Sequence, residues 1–115
     1  MTVKEAYESV GSNYDNVLKR LGSEGMIKRF AVKFIDDPTF GELKNALAAG
    51  DGESAFRAAH TMKGICLNLG FDKLYEVSAA LTEQLRGYEI AGSEAMYQQV
   101  VEQYDCLITA IKAID

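Results

Sequence analysis

The chain has 115 residues, 48% of them apolar, which suffices for one folded domain with its own core and is too apolar for a disordered segment. Twelve Lys and Arg against 17 Asp and Glu leave a net charge of −5, the opposite of the basic footprint that nucleic acid selects. No apolar run approaches membrane-spanning length and polar residues begin at once after Met1, so a soluble, cytoplasmic protein without a leader is expected.

The chain then reads as helices throughout. Thr2-Val3-Lys4-Glu5 has the form of a capping box, opening a short helix that Gly11 stops near Val10. Ser12 and Asp15 open a second short helix with Tyr14, Val17, Leu18 and Leu21 on one face, ended by Gly22. Ser23 caps a longer helix in which Ile27, Phe30, Ala31, Phe34 and Ile35 recur at helical spacing. Lys28, Arg29 and Lys33 lie off that line and read as a solvated face. Asp36-Asp37-Pro38 breaks the helix, because proline disfavours α geometry in the residue before it. Thr39 to Glu42 looks like another capping box, starting a helix with Phe40, Leu43, Ala46 and Leu47 inward and an end at Gly50.

Asp51 is a good N-cap for the next helix, and Gly70 suits a left-handed end. Asp72 starts another, with Leu74, Val77, Leu81, Leu85 and Tyr88 as its stripe and Gly87 near its end. Ala91-Gly92 turns the chain. Ser93 caps the last helix, whose stripe is Met96, Val100, Tyr104, Leu107, Ile108, Ile111 and Ile114. Alternating strand patterns and hairpin turns are missing. The expected fold is therefore all-α: an antiparallel up-down four-helix bundle, with two short additional helices at the N-terminus, in one domain over residues 1–115.

The only histidine, His60, lies on the helix between Asp51 and Gly70. At 3.6 residues per turn, Ala59, Met62, Cys66 and Leu69 form its core stripe. His60 falls on a different face with Lys63, Gly64 and Leu67, and with Phe56 and Arg57 one turn back. Glycine inside a helix costs roughly 1 kcal/mol against alanine, so Gly64 asks for a reason. The bland readings are a task-free surface histidine, a solvated lysine and arginine, and a glycine that merely permits close packing. Cys66 and Cys106 both lie in helical patterns and read as small core residues rather than a disulfide. One histidine and no Cys-x-x-Cys leave zinc without a ligand set.

The run His60-Thr61-Met62-Lys63-Gly64, closed by Leu69-Gly70, resembles the motif of the histidine phosphotransfer (HPt) domain, as do Ala48-Ala49-Gly50-Asp51 and the small residues before the histidine. That resemblance implies a four-helix bundle in which His60 is the phosphoacceptor. The chemistry fits: a neutral imidazole is a nucleophile near pH 7 and can become a phosphohistidine. The attached phosphoryl group carries close to two negative charges, which Lys63 and the forked donors of Arg57 would stabilise. Gly64 would leave it room, and Phe56 and Leu67 would flank it as a docking patch for the partner. Many members of the family carry a glutamine on the following helix that orients the histidine region. The matching place here is Thr82, with Gln84 nearby as the other candidate for that supporting role.

No glycine-rich nucleotide loop and no acidic cluster for magnesium stand near His60 in the sequence. A carrier is therefore expected, not an enzyme, with no cofactor or metal of its own. The resemblance implies response-regulator receiver domains as partners, which would bring the magnesium, and a hybrid sensor histidine kinase as a further candidate. Neither nucleic acid nor membrane is expected as a partner, and a monomer is. Two alternatives stay open: a bundle that binds receiver or kinase domains without carrying phosphate, and an enzyme using His60 as a general base. The second needs a nucleophile or substrate pocket that the sequence does not display.

Overall fold

A computed structural model describes all residues from Met1 to Asp115. Its seven helices are α1 (Val3–Ser9), α2 (Tyr14–Leu21), α3 (Glu24–Phe34), α4 (Thr39–Ala48), α5 (Gly52–Leu69), α6 (Asp72–Gln84) and α7 (Glu94–Lys112), and there is no strand. Short turns make α4 and α5, α5 and α6, and α6 and α7 antiparallel neighbours. One corner of the bundle is split in two. Phe34 at the end of α3 and Phe40 at the start of α4 both meet Tyr104 of α7, with ring centroids 5.9 and 4.0 Å apart. The two helices thus follow each other along α7, bent at Asp36-Asp37-Pro38. Helices α1 and α2 pack across one end, against α7 and α3.

One core runs through all seven helices. Ile27, Leu43, Met62, Cys66, Leu81, Leu85 and Val100 are fully buried in it, joined by Val3 and Tyr7 of α1 and Val17 of α2. Each large apolar side chain taken from water this way contributes roughly 1.5–3 kcal/mol. The α1 capping box is present: Glu5 N–H donates to Thr2 Oγ1 (3.1 Å), and Thr2 N–H donates to Glu5 Oε1 (2.8 Å). Ser23 and Asp51 cap α3 and α5 as expected.

Other starts and faces differ from the sequence expectation. Asn13, not Ser12, caps α2 through Asn16 N–H (3.1 Å). The Ser12 hydroxyl instead accepts from Asp72 N–H (3.3 Å), a partner 60 residues away that sequence spacing cannot reveal. Thr39 is the first residue of α4 and is buried. Pro38 holds the cap position, and Asp37 Oδ1 accepts the Thr39 N–H (2.9 Å) in place of a capping box. Ser93 stands at the start of α7, but its hydroxyl turns back to the Ile90 carbonyl (2.6 Å). Helix α6 ends at Gln84, so Tyr88 leaves the core stripe and is 50% exposed. Cys66 is a core residue whose thiol burial pushes upward in pKa, whereas Cys106 faces solvent on α7.

Candidate functional site around His60

Helix α5 is defined at both ends. Asp51 accepts from the backbone N–H of Ser54 (3.1 Å) and from its hydroxyl (2.7 Å), satisfying a donor that the first turn would otherwise leave free. Gly70 takes φ +74, the left-handed conformation that ends a helix without a Cβ penalty. Two carbonyls of the last turn are met by the N-terminal helices: Arg20 Nη1 donates to Leu67 O (2.8 Å) and Tyr7 Oη to Leu69 O (2.7 Å). Ala55, Ala58, Ala59, Met62 and Cys66 are buried, which fixes the rotation of the helix. His60 is thereby turned outward and is exposed.

The imidazole does not stand alone. Its ring centroid is 6.1 Å from that of Phe56, one turn back. Phe56 is half-buried between three groups: His60, the Tyr88 ring at 5.8 Å, and the Arg86 guanidinium, which lies 5.4 Å from the Phe56 centroid in cation–π geometry. Arg86 forks onto Glu83, with Nη2 2.7 Å and Nε 3.0 Å from the two carboxylate oxygens. That hydrogen bonding holds the Glu83 carboxyl below its usual pKa, and the charges of Arg86 and Lys63 add to the effect. Lys63, one turn beyond His60, is half-buried on the same side. A Cβ built on Gly64 would touch nothing within 4 Å. The space beside His60 is open, and Gly64 does not serve close helix packing. Leu67, two turns on, is 52% exposed and borders a groove with Asn16, Arg20 and Asp72.

The other expected members of the site have partners of their own. Arg57, one turn before His60, is exposed, pairs with Glu53 (2.6 Å) and borders the groove between α4 and α5. Thr82 is fully buried and its hydroxyl donates to the Ser78 carbonyl one turn back (2.7 Å), so its one donor is spent within its own helix. Gln84 is exposed and its amide points toward the turn at Gly92.

Two residues missed by sequence reasoning take their places around Phe56, namely Arg86 and Tyr88, with Glu83 behind them. The Glu83–Arg86 spacing of three on a helix was readable as an ion pair, but not its seat on α5. Tyr88 gave no such signal. It adopts φ +64, an uncommon conformation for a bulky residue, where the sequence placed it in the apolar stripe of the helix. Gly52 explains how it is held. A Cβ there would lie 1.8 Å from the Tyr88 carbonyl oxygen, so the chain after α6 crosses directly over the first turn of α5.

A family model described as "Hpt domain" matches residues 37–114, about two thirds of the chain. The match includes α4 to α7, and so His60 and every residue around it, and begins after α1, α2 and α3. No curated protein and no solved structure matches the chain.

Proposed function

Because the chain belongs to the Hpt domain family, whose general role is histidine phosphotransfer in phosphorelays, we propose that His60 accepts a phosphoryl group from the aspartyl phosphate of a response-regulator receiver domain and passes it on. A ring nitrogen of His60 attacks phosphorus, the N–P bond forms as the acyl phosphate P–O bond breaks, and the leaving carboxylate stays on the receiver. Transfer to the next receiver runs the same exchange in reverse. The protein acts as a carrier in the cytoplasm, as a monomer. The receiver, or the receiver of a hybrid sensor kinase, supplies the magnesium ion that neutralises charge during transfer.

The observation that carries this is the exposed imidazole with Lys63 one turn on and open space over Gly64. The lysine ammonium is within reach of a phosphoryl group on His60 and answers its charge. Phe56 and Tyr88 offer an aromatic surface beside it, and Leu67 extends the apolar contact toward α2. Receiver domains present carboxylates at their phosphorylation site, so the cations around His60 suit them where the acidic remainder of the chain does not.

The test is incubation with a phosphorylated receiver. An acid-labile, base-stable phosphate should appear on the wild-type protein and be absent from His60→Gln, with helix content unchanged. Label retained by the variant refutes the assignment. Receiver binding without any transfer leaves a pure interaction module.

A further inference from the structure

Glu83 is the one carboxylate woven into the cations of the His60 patch. It holds Arg86 by two hydrogen bonds and feels the charge of Lys63 across the α5–α6 contact. Arg86 in turn lies over the ring that His60 packs against. Both partners of the Glu83–Arg86 pair are more than half exposed, and such pairs contribute little to stability. The pair is therefore easily exchanged for a better anion.

We propose that Glu83 is a positioning residue that latches Arg86 over Phe56 while His60 is bare and yields it to the phosphoryl group once His60 is modified, thereby setting how long the phosphohistidine lasts. This rests on His60 being a phosphoacceptor. A phosphoryl group near −2 with three acceptor oxygens outbids a single carboxylate for a guanidinium, whose planar fork fits both. The latch serves two ends. Held against Phe56, Arg86 is kept one aromatic ring away from the imidazole instead of free in solvent, and so loses less freedom on switching. Glu83 remains nearby as a competitor, so the phosphorylated state is stabilised only in part. A carrier needs that balance, because phosphate held too firmly is not passed on.

The experiment needs no receiver. Phosphoramidate can phosphorylate the imidazole directly, its P–N bond breaking with release of ammonia as the N–P bond to His60 forms. Decay follows by 31P NMR: water attacks phosphorus, the bond to the imidazole breaks, and inorganic phosphate leaves. Glu83→Gln should lengthen the phosphohistidine half-life on the order of threefold. Arg86→Gln should shorten it, and adding Glu83→Gln to that variant should lengthen it less than in the wild type, because Glu83 acts chiefly through the arginine. In the wild type the Arg86 Nε–H resonance should shift on phosphorylation. Equal half-lives in Glu83→Gln and wild type overturn the latch while leaving the phosphoacceptor intact. So does the same lengthening with Arg86 already removed. Failure of phosphoramidate to modify His60 at all overturns both.

Discussion

At the scale of single residues, two glycines of the same helix have opposite meanings. Gly64 has open space where a side chain would be, so nothing in the fold requires it. Gly64→Ala should raise the stability of the protein by up to about 1 kcal/mol, the intrinsic gain of alanine in a helix interior, read as an increase in the urea midpoint. A larger side chain such as Gln at 64 should fold as well and block transfer from the receiver. Normal transfer by Gly64→Gln removes the clearance argument. Gly52 is the reverse case. The Tyr88 carbonyl already fills the place of its Cβ, and backbone cannot step aside as a flexible side chain can. Gly52→Ala should lower the melting temperature and disturb the packing of Tyr88 on Phe56, seen as altered near-UV circular dichroism. An unchanged melting temperature would show that the crossing is loose.

At the scale of elements, the sequence was most readable where local rules act alone. Thr2 with Glu5, Ser23, Asp51 and Gly70 mark helix ends by bonds made within a few residues, and all four stand as expected. The His60 face was readable too, since the core stripe of α5 fixes the rotation of the helix. What escaped was set by partners distant in sequence. Ser12 bonds to the start of α6, and Thr82 spends its one donor within its own helix. Arg57 is paired with Glu53 one turn back. Arg86 and Tyr88 reach Phe56 only because α6 returns antiparallel to α5 and then crosses Gly52.

The Asp51 cap also gives the motif helix a pH dependence. Hydrogen bonds from the Ser54 side chain, then its backbone, hold the Asp51 carboxyl below its usual pKa of 3.8. A group depressed in the folded state contributes stability above its unfolded pKa and loses it as pH falls through the folded value. Wild type should therefore lose more stability than Asp51→Asn between pH 5 and acid on the order of pH 2, by urea titration at each pH. Parallel curves would mean that the carboxylate charge adds nothing to the cap.

At the scale of the whole molecule, α1, α2 and α3 precede the family match yet complete the helix that carries the histidine. Tyr7 and Arg20 donate to the last carbonyls of α5, and Asn13 N–H donates to the Asp72 carboxylate (3.3 Å). Burial pushes the Tyr7 phenol up in pKa, so it stays a neutral donor to Leu69 at any ordinary pH. Phe71, just past the end of α5, joins these parts. It is 1% exposed, with its ring 5.6 Å from Tyr7 of α1 and 5.1 Å from Phe34 of α3. The face of α5 that bears His60 is thus held from the far end by a junction of three elements. Phe71→Ala removes the ring shared by all of them and leaves a cavity that neither Tyr7 nor Phe34 can fill without breaking its other contacts. The expected loss is about 3–5 kcal/mol of unfolding free energy, with the last turn of α5 losing amide protection in hydrogen exchange before its first turn does. Tyr7→Phe keeps the ring and deletes one hydrogen bond, so it should cost only about 1 kcal/mol. A Phe71→Ala protein as stable as Tyr7→Phe would mean that the N-terminal helices merely lean on the bundle, and that residues 37–114 form its core without them.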